Sequence, residues 1–304
     1  MKISYSAPAK VILSGEHAVV YGKLALVSAI NLRLKFSITI LGRPSQDSKS
    51  SEVINFISQK VKDYLKNYKI NFVDKHFIYE IESEIPIGRG LGSSAALSVA
   101  SVATFLEFYT GRQFEKETVN DLAFQIEKYF HKNPSGVDNS AACFGGLILY
   151  QKQKSLKNLD YKIPKEIEEK LFLIDSGIPT ETTGEMVDYV RTQNTTVIFN
   201  KIEIVTDKFQ QAIEKKSVNI FNQCLLENEK LLEDLGVVSE KTKKLLKKLS
   251  KFGVGKITGA GGRETNSGFI LFFAENIEQL IKYLKARKIV FYKFMPDNKG
   301  LVRI

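Results

Sequence analysis

Three glycines alternate with other residues and run into a pair of serines in PIGRGLGSSAA, residues 86–96. Backbone without side chains can wrap closely around an anion. A helix that begins at such a loop adds unpaired N–H groups and the positive end of its dipole. Gly88, Gly90 and Gly92 therefore suit a di- or triphosphate, and Ser93 and Ser94 offer hydroxyls to a phosphate oxygen or to Mg²⁺. The competing reading is a tight turn in which Ser93 or Ser94 caps the helix. Two common phosphate loops are excluded by spacing. No Gly-Lys-Ser/Thr follows, and the glycines are spaced G-x-G-x-G rather than G-x-G-x-x-G. Neither D-F-G nor H-R-D occurs.

Other residues capable of chemistry flank this loop in sequence. APAKVILSGEHAVVYGK places Lys10, Glu16 and His17 within eight positions, around an apolar strand. In HKNPSGVDNSAACFGG, residues 131–146, a Pro-Ser-Gly turn presents Asp138, either as an acid/base or as the cap of NSAAC. Glu127 lies at the margin of a helical apolar face, where a carboxylate faces either solvent or a cleft. The three histidines, His17, His76 and His131, are scattered, which gives a multi-histidine metal site little support. Cys143 and Cys224 stand far apart and outside any C-x-x-C pattern, so neither a disulfide framework nor a zinc site is expected.

These residues need elements to hold them, and the hydrophobic pattern supplies them. The chain has 304 residues, 43% of them hydrophobic, enough for one large domain or two ordinary ones with a proper core. KVIL, ALVSAI and LRLKFSITI read as strands, and VINFISQKVKDYLKNY reads as a helix after a polar, serine-rich loop at 42–52. HFIYEIESEI, residues 76–85, is a strand that leads straight into the glycine loop. The run from Ser94 to Thr110 has neither Pro nor Gly and is apolar nearly all round, which predicts a buried helix stopped by Gly111. A second helix is expected from Glu115 to about His131, with Val119, Leu122, Ala123, Ile126 and Phe130 on one face, followed by a strand at GGLILY. The polar stretch 151–169 marks a passage between two lobes, 1–160 and 161–304. Beyond it come the strand LFLID, helical segments to about 250, the glycine cluster GAGG at 259–262, the strand GFILFF, a helix near 278–287 and a last strand IVFYKFM. Helices and strands without regular βαβ alternation favour an α+β fold over a doubly wound one.

The net charge of +10 is carried almost wholly by lysine. In KTKKLLKKLSK, residues 241–251, Leu245, Leu246 and Leu249 form one stripe and the lysines a solvated face. No docking motif or arginine-rich reading surface accompanies them, so nucleic acid is a weak rival to a small anionic ligand. No apolar stretch is long enough to span a membrane, and MKISYSAPAK lacks the apolar core of a secretory signal, so a cytoplasmic protein with no membrane partner is expected.

APAKVILSGEHAVVYG, PIGRGLGSSAA and KITGAGGRETNSGFILFF together resemble the three motifs of the GHMP kinase superfamily, and the match spans the chain. GEHAVVYG and HKNPSGVDN are most similar to its mevalonate kinase branch. The resemblance implies a two-lobed α+β architecture, with an N-terminal lobe like ribosomal protein S5 domain 2 and a ferredoxin-like C-terminal lobe. It implies ATP and Mg²⁺ as cofactors and mevalonate as the small-molecule substrate, acting on its 5-hydroxyl, in a monomer or homodimer. A sister activity on phosphomevalonate, or at the 3-hydroxyl of mevalonate, is the alternative. Residue by residue, Asp138 becomes the base near the hydroxyl with Lys10 beside it, and Ser94 and Glu127 become the metal ligands. Pro86, Ile87, Gly88, Arg89, Gly90, Leu91, Gly92, Ser93, Ser94, Ala95 and Ala96 cradle the nucleotide phosphates. Glu16 and His17 belong to the substrate pocket, and Thr182 or Thr183 supplies a substrate-side hydroxyl, Thr183 being the expected one. The sequence departs from the pattern in two places. Arg263 and Glu264 stand where the third motif continues in glycine, and Lys132 replaces a glycine before Asp138.

Overall fold

The computed structural model describes residues 2–40, 51–130 and 134–304. The expected loop at 42–52, apart from its last two residues, and the departure at Lys132 lie outside the described residues.

The first sheet is built on two long strands, β1 (Lys2–Ser14) and β2 (Leu24–Ile40), joined through a 3₁₀ turn at Ala18–Tyr21. β1 alternates, with Ile3, Tyr5, Ala7, Ala9, Val11 and Leu13 in the core, yet Ser4, Ser6, Lys10 and Ser14 on its other face are buried as well. Its pairing with β2 shifts register between Pro8 and Ala9, where a proline that cannot donate to the ladder is tolerated. Next come α1 (Glu52–Asn67), β3 (Phe77–Ser83), α2 (Ser93–Thr110), α3 (Lys116–Phe130) and α4 (Val137–Phe144), then the hairpin of β4 (Leu147–Gln151) and β5 (Ser155–Asn158). β2 shares one edge between two partners: Leu34–Ile40 pairs with β3, and Leu24–Ser28 pairs with β4.

α2 is the core helix. Ala95 through Tyr109 are buried on almost every side because β1 and β2 cover one face while α1, α3 and α4 cover the others. Gly111, in the left-handed conformation, ends it by donating its N–H to Glu107.

The second sheet follows α5 (Lys165–Glu168). It contains β6 (Leu171–Asp175), then α6 (Thr183–Arg191), α7 (Thr196–Glu214), α8 (Val218–Asp234) and α9 (Glu240–Leu249), then β7 (Gly253–Ile257), β8 (Phe269–Ala274), α10 (Ile277–Ala286) and β9 (Phe291–Lys293). Its order, β7-β8-β6-β9, is antiparallel throughout, with helices between its first and second and its third and fourth strands. That is the ferredoxin-like arrangement, elaborated by four helices where the simplest form has one. On α9, Leu249 is buried and Leu245 and Leu246 pack against the core, while Lys241, Lys247 and Lys248 are exposed. The lysine run is thus a solvated helix face.

Finally β10 (Val302–Arg303) returns to the free edge of β1. Arg303 and the Tyr5 hydroxyl both bond the buried carboxylate of Glu107 on α2, tying the chain's end to the core helix.

Candidate active site

β1 carries Lys10 into the protein interior, where its side chain is 3% exposed. A buried ammonium needs a counter-charge. Asp138, in the first turn of α4, provides it with Oδ2 3.1 Å from Lys10 Nζ. The Asp138 side chain remains 32% exposed, so the carboxylate can meet a ligand while held by the buried cation. Asp138 follows Val137 and the helix cap is Gly136, so it is not the cap of NSAAC.

The glycine loop lies against the same lysine. Lys10 N donates to Leu91 O at 3.0 Å, and the lysine stem crosses Gly92 so closely that an added Cβ would sit 2.9 Å from Lys10 Cγ. Gly92 is also the cap of α2, in the left-handed conformation and without a side-chain capping bond. Neither Ser93 nor Ser94 therefore caps the helix, and its first-turn N–H groups have no side-chain acceptor at the cap. Gly90 touches the third motif: its added Cβ would fall 2.9 Å from Thr258 O, and Gly259 packs back on the Gly90 backbone. Thr258 in turn accepts from Ile12 N at 2.9 Å, so β1 and both glycine loops converge.

In the first turn of α2, Ser94 Oγ lies 3.4 Å from Glu127 Oε2, and one turn on Ser98 Oγ donates to Glu127 Oε1 at 2.8 Å. Glu127 is 3% exposed and sits on the buried side of α3, not its surface. Burial is the main reason its pKa rises to about 7; the Asp138 charge adds to the rise, and the Ser98 and Ser94 hydroxyls oppose it. Ser94 Oγ and the Glu127 carboxylate are hard oxygen donors of the kind Mg²⁺ takes, and such an ion normally completes its shell with phosphate and water. Among the described residues, no three His, Cys, Asp or Glu side chains form a metal cluster of their own.

Glu16 and His17 follow β1 and are both buried. His17 Nε2 lies 2.9 Å from Ala260 O; because a carbonyl only accepts, this nitrogen carries the proton. Burial lowers the His17 pKa to about 4, keeping the ring neutral. Glu16 forms an ion pair with Lys256 on β7, and both side chains are fully buried. Burial pushes the Glu16 pKa up, while Lys256 and, more weakly, Lys10 pull it down.

The sequence carries the same message as the geometry. A family profile described as "GHMP kinases N terminal domain" matches residues 53–146. The mevalonate kinase of Archaeoglobus fulgidus is 33% identical over 270 residues, covering 84% of this chain and 88% of that protein. The chain belongs to the mevalonate kinase family of GHMP kinases. Among solved structures, the mevalonate kinase of Methanococcus jannaschii aligns with a TM-score of 0.80 at 24% identity, covering 98% of each chain. The galactokinase of Lactococcus lactis also reaches 0.80, at 17% identity, covering 100% of this chain and 95% of that one. Kinases named for different acceptors share this fold, so the acceptor must be argued from elsewhere.

Within this mevalonate kinase family member, the remaining expected residue, Thr183, is exposed at the first position of α6. Its neighbour Thr182 is the cap, with Oγ1 accepting from Glu185 N in a capping box. Sequence reasoning did not single out Lys256, Glu229 or Glu181. Lys256 is the first residue of the third motif, and Glu229 on α8 accepts from Ile257 N at 2.8 Å, with burial pushing its pKa to about 8. A lysine inside a strand that is otherwise apolar was the available signal for the first. Glu181 holds the departure at Arg263 and Glu264, accepting both backbone N–H groups on Oε1 at 3.0 and 3.1 Å. No local pattern announced that contact.

Proposed function

We propose that this chain transfers the terminal phosphoryl group of ATP to the 5-hydroxyl of mevalonate, giving 5-phosphomevalonate and ADP. The acceptor is assigned from the 33% identity to the Archaeoglobus fulgidus mevalonate kinase. The chemistry rests on one observation, the Lys10–Asp138 pair at 3.1 Å beside the uncapped start of α2.

Phosphoryl transfer depends on alignment and charge neutralisation more than on covalent catalysis. The first-turn amides of α2 and the bare backbone of Gly88, Gly90 and Gly92 bind phosphate oxygens. Asp138 orients the attacking hydroxyl and accepts its proton on a carboxylate oxygen, an effect worth roughly 10²–10⁴ in rate for a positioned base. Lys10 holds that carboxylate in place and offsets negative charge where phosphate and hydroxyl meet. Ser94 and Glu127 would hold Mg²⁺, which when bound screens the phosphate charge. Glu127 binds a cation in its ionised form, so its pKa near 7 ties metal binding to pH.

The same reading divides the chain into an ATP-binding lobe at 1–160 and a lobe at 161–304 that completes the cleft, and assigns the enzyme to the cytoplasm, where ATP is available. Among the described residues, no helix is long and apolar enough to cross a membrane.

The test is a coupled ADP-release assay over mevalonate, phosphomevalonate, homoserine and galactose, with the position of phosphate in the product read by ³¹P NMR. Turnover of mevalonate at the 5-position is expected. Turnover confined to another acceptor, or phosphate at the 3-position, rejects the assignment.

A further inference from the structure

Two loops are laced together beside the phosphate loop: residues 176–182, leading from β6 to α6, and residues 258–268, leading from β7 to β8. Ser176 N donates to Gly268 O at 2.9 Å, Asn266 Nδ2 donates to Ile178 O at 3.0 Å, and the Thr180 and Thr265 hydroxyls lie 2.8 Å apart. Glu181 adds a carboxylate to this set. Its Oε1 accepts from both Arg263 N and Glu264 N, so two successive amides converge on a single charged oxygen. That is the arrangement in which a backbone nest grips an anion, here supplied by the protein itself. The side chain of Arg263 adds to the hold, its guanidinium carbon lying 3.6 Å from the centroid of the Tyr189 ring on α6.

What this latch restrains is the loop that contacts the rest of the site. At one end Gly259 packs on the Gly90 backbone. At Ala260 the carbonyl accepts from His17 at 2.9 Å. Gly262 is pressed between Pro179, Asn266 and Glu181, where an added Cβ would stand 2.3 Å from Asn266 O and 2.8 Å from Pro179 Cβ. The Gly90 end is fixed by close backbone packing, Gly262 N is held by Val237 O and Thr265 O by Ser239 Oγ, and between them the exposed Arg263 and Glu264 are held by their amides through Glu181. Residues of a solvent-facing loop without such an anchor sample many conformations.

We propose that Glu181 is a positioning residue that keeps the third-motif loop in its binding-competent form, so that the acceptor substrate does not have to order it. The inference rests on the kinase reading for the identity of that substrate. A binding-competent state populated a fraction f of the time weakens apparent affinity by 1/f. If releasing the latch lowers f to between about 0.05 and 0.2, the KM for mevalonate rises about five- to twentyfold while kcat changes little.

The experiment compares Glu181→Ala with Glu181→Gln, which keeps an acceptor oxygen in place. Two readouts are taken: steady-state kinetics with mevalonate, and amide hydrogen exchange at Arg263 and Glu264 in the ligand-free protein. Expected are a raised KM with near-normal kcat and faster exchange in Glu181→Ala, with both restored in Glu181→Gln. Unchanged exchange in Glu181→Ala overturns the latch. So does an unchanged KM, or a loss of kcat and melting temperature common to both variants, which would mark a structural role only. If the wild type does not turn over mevalonate, the substrate reading has failed, and the exchange measurement still decides the latch.

Discussion

Replacing Glu127 by Gln separates the stability of the site from its function, and in opposite directions. Glu127 is buried, and its pKa stands at about 7 against an ordinary 4.5. The folded protein therefore holds a proton there across a range in which the unfolded chain has released it. For a carboxyl raised in this way, the stabilising contribution is present below about pH 4.5 and is lost as pH rises through about 7. The gap between those values corresponds to roughly 3 kcal/mol, lost by the metal-free wild type between about pH 4.5 and pH 8. Glutamine has nothing to titrate. Its amide oxygen can still accept from Ser98, and the Ser94 hydroxyl can turn to accept from its NH₂. Scanning fluorimetry without Mg²⁺ should therefore show the melting temperature of Glu127→Gln gaining on the wild type by about 6 °C from pH 5 to pH 8.5. Turnover should fall by about 10² or more, since a metal ligand has gone. Adding Mg²⁺ and ATP should reverse the stability order by stabilising only the wild type strongly. A melting difference that stays constant with pH would refute the claim that burial raises this carboxyl.

Three further substitutions probe neighbouring parts of the site. Asp138→Asn should reduce kcat by roughly 10²–10⁴ while leaving ATP affinity, measured by calorimetry, within about threefold; wild-type turnover would remove Asp138 from its role. Gly92→Ala meets a left-handed φ of 78° and a Cβ 2.9 Å from Lys10 Cγ. It should cost about 1–2 kcal/mol of stability and, by shifting Lys10, lower kcat more than tenfold, as checked by chemical denaturation alongside the coupled assay. Lys256→Met strands the buried Glu16 carboxylate and should destabilise the protein by about 3–5 kcal/mol at pH 8. Because protonation neutralises the orphan, the loss should be smaller in melts at pH 5, and an equal loss at both pH values would argue against the Glu16–Lys256 pair.

What could be read from the sequence follows from how far apart the interacting residues lie. α2 was legible to within a residue at its start, because an all-round apolar run between glycines leaves few alternatives. The lysine run on α9 was equally plain. The roles of Lys10, Asp138, Ser94 and Glu127 came from resemblance. Their own neighbourhoods left each reading open, since nothing local shows that a lysine on β1 lies under a glycine of a loop more than eighty residues later. Arg263 stood out in the sequence only as a departure from glycine, and the structure lays it across Tyr189, with its amide on Glu181. Glu16 shows the same limit from the other side. Its partner Lys256 is 240 positions away, on the second sheet.

That last contact has a consequence for how the two sheets work together. Starting at the partly exposed carboxylate, ionisable groups of alternating type run inward: Asp138 on α4, Lys10 on β1, Glu16 in the loop after β1, Lys256 on β7, and Glu229 on α8, which its pKa of about 8 leaves mostly protonated at neutral pH. Each charge acts on its neighbours. Lys10 and Lys256 both lower the pKa of Glu16, and Glu16 helps to raise that of Glu229. Five elements from both halves of the chain thus contribute one member each to a single electrostatic row that begins where the hydroxyl is proposed to bind. Coulomb interactions fall off slowly in a low-dielectric interior, so removing any inner member changes the field at the next. The third motif therefore does more than pack its glycines on the phosphate loop at Gly90. Through Lys256, its first residue, the second sheet sets the charge environment of Glu16 beside the end of β1.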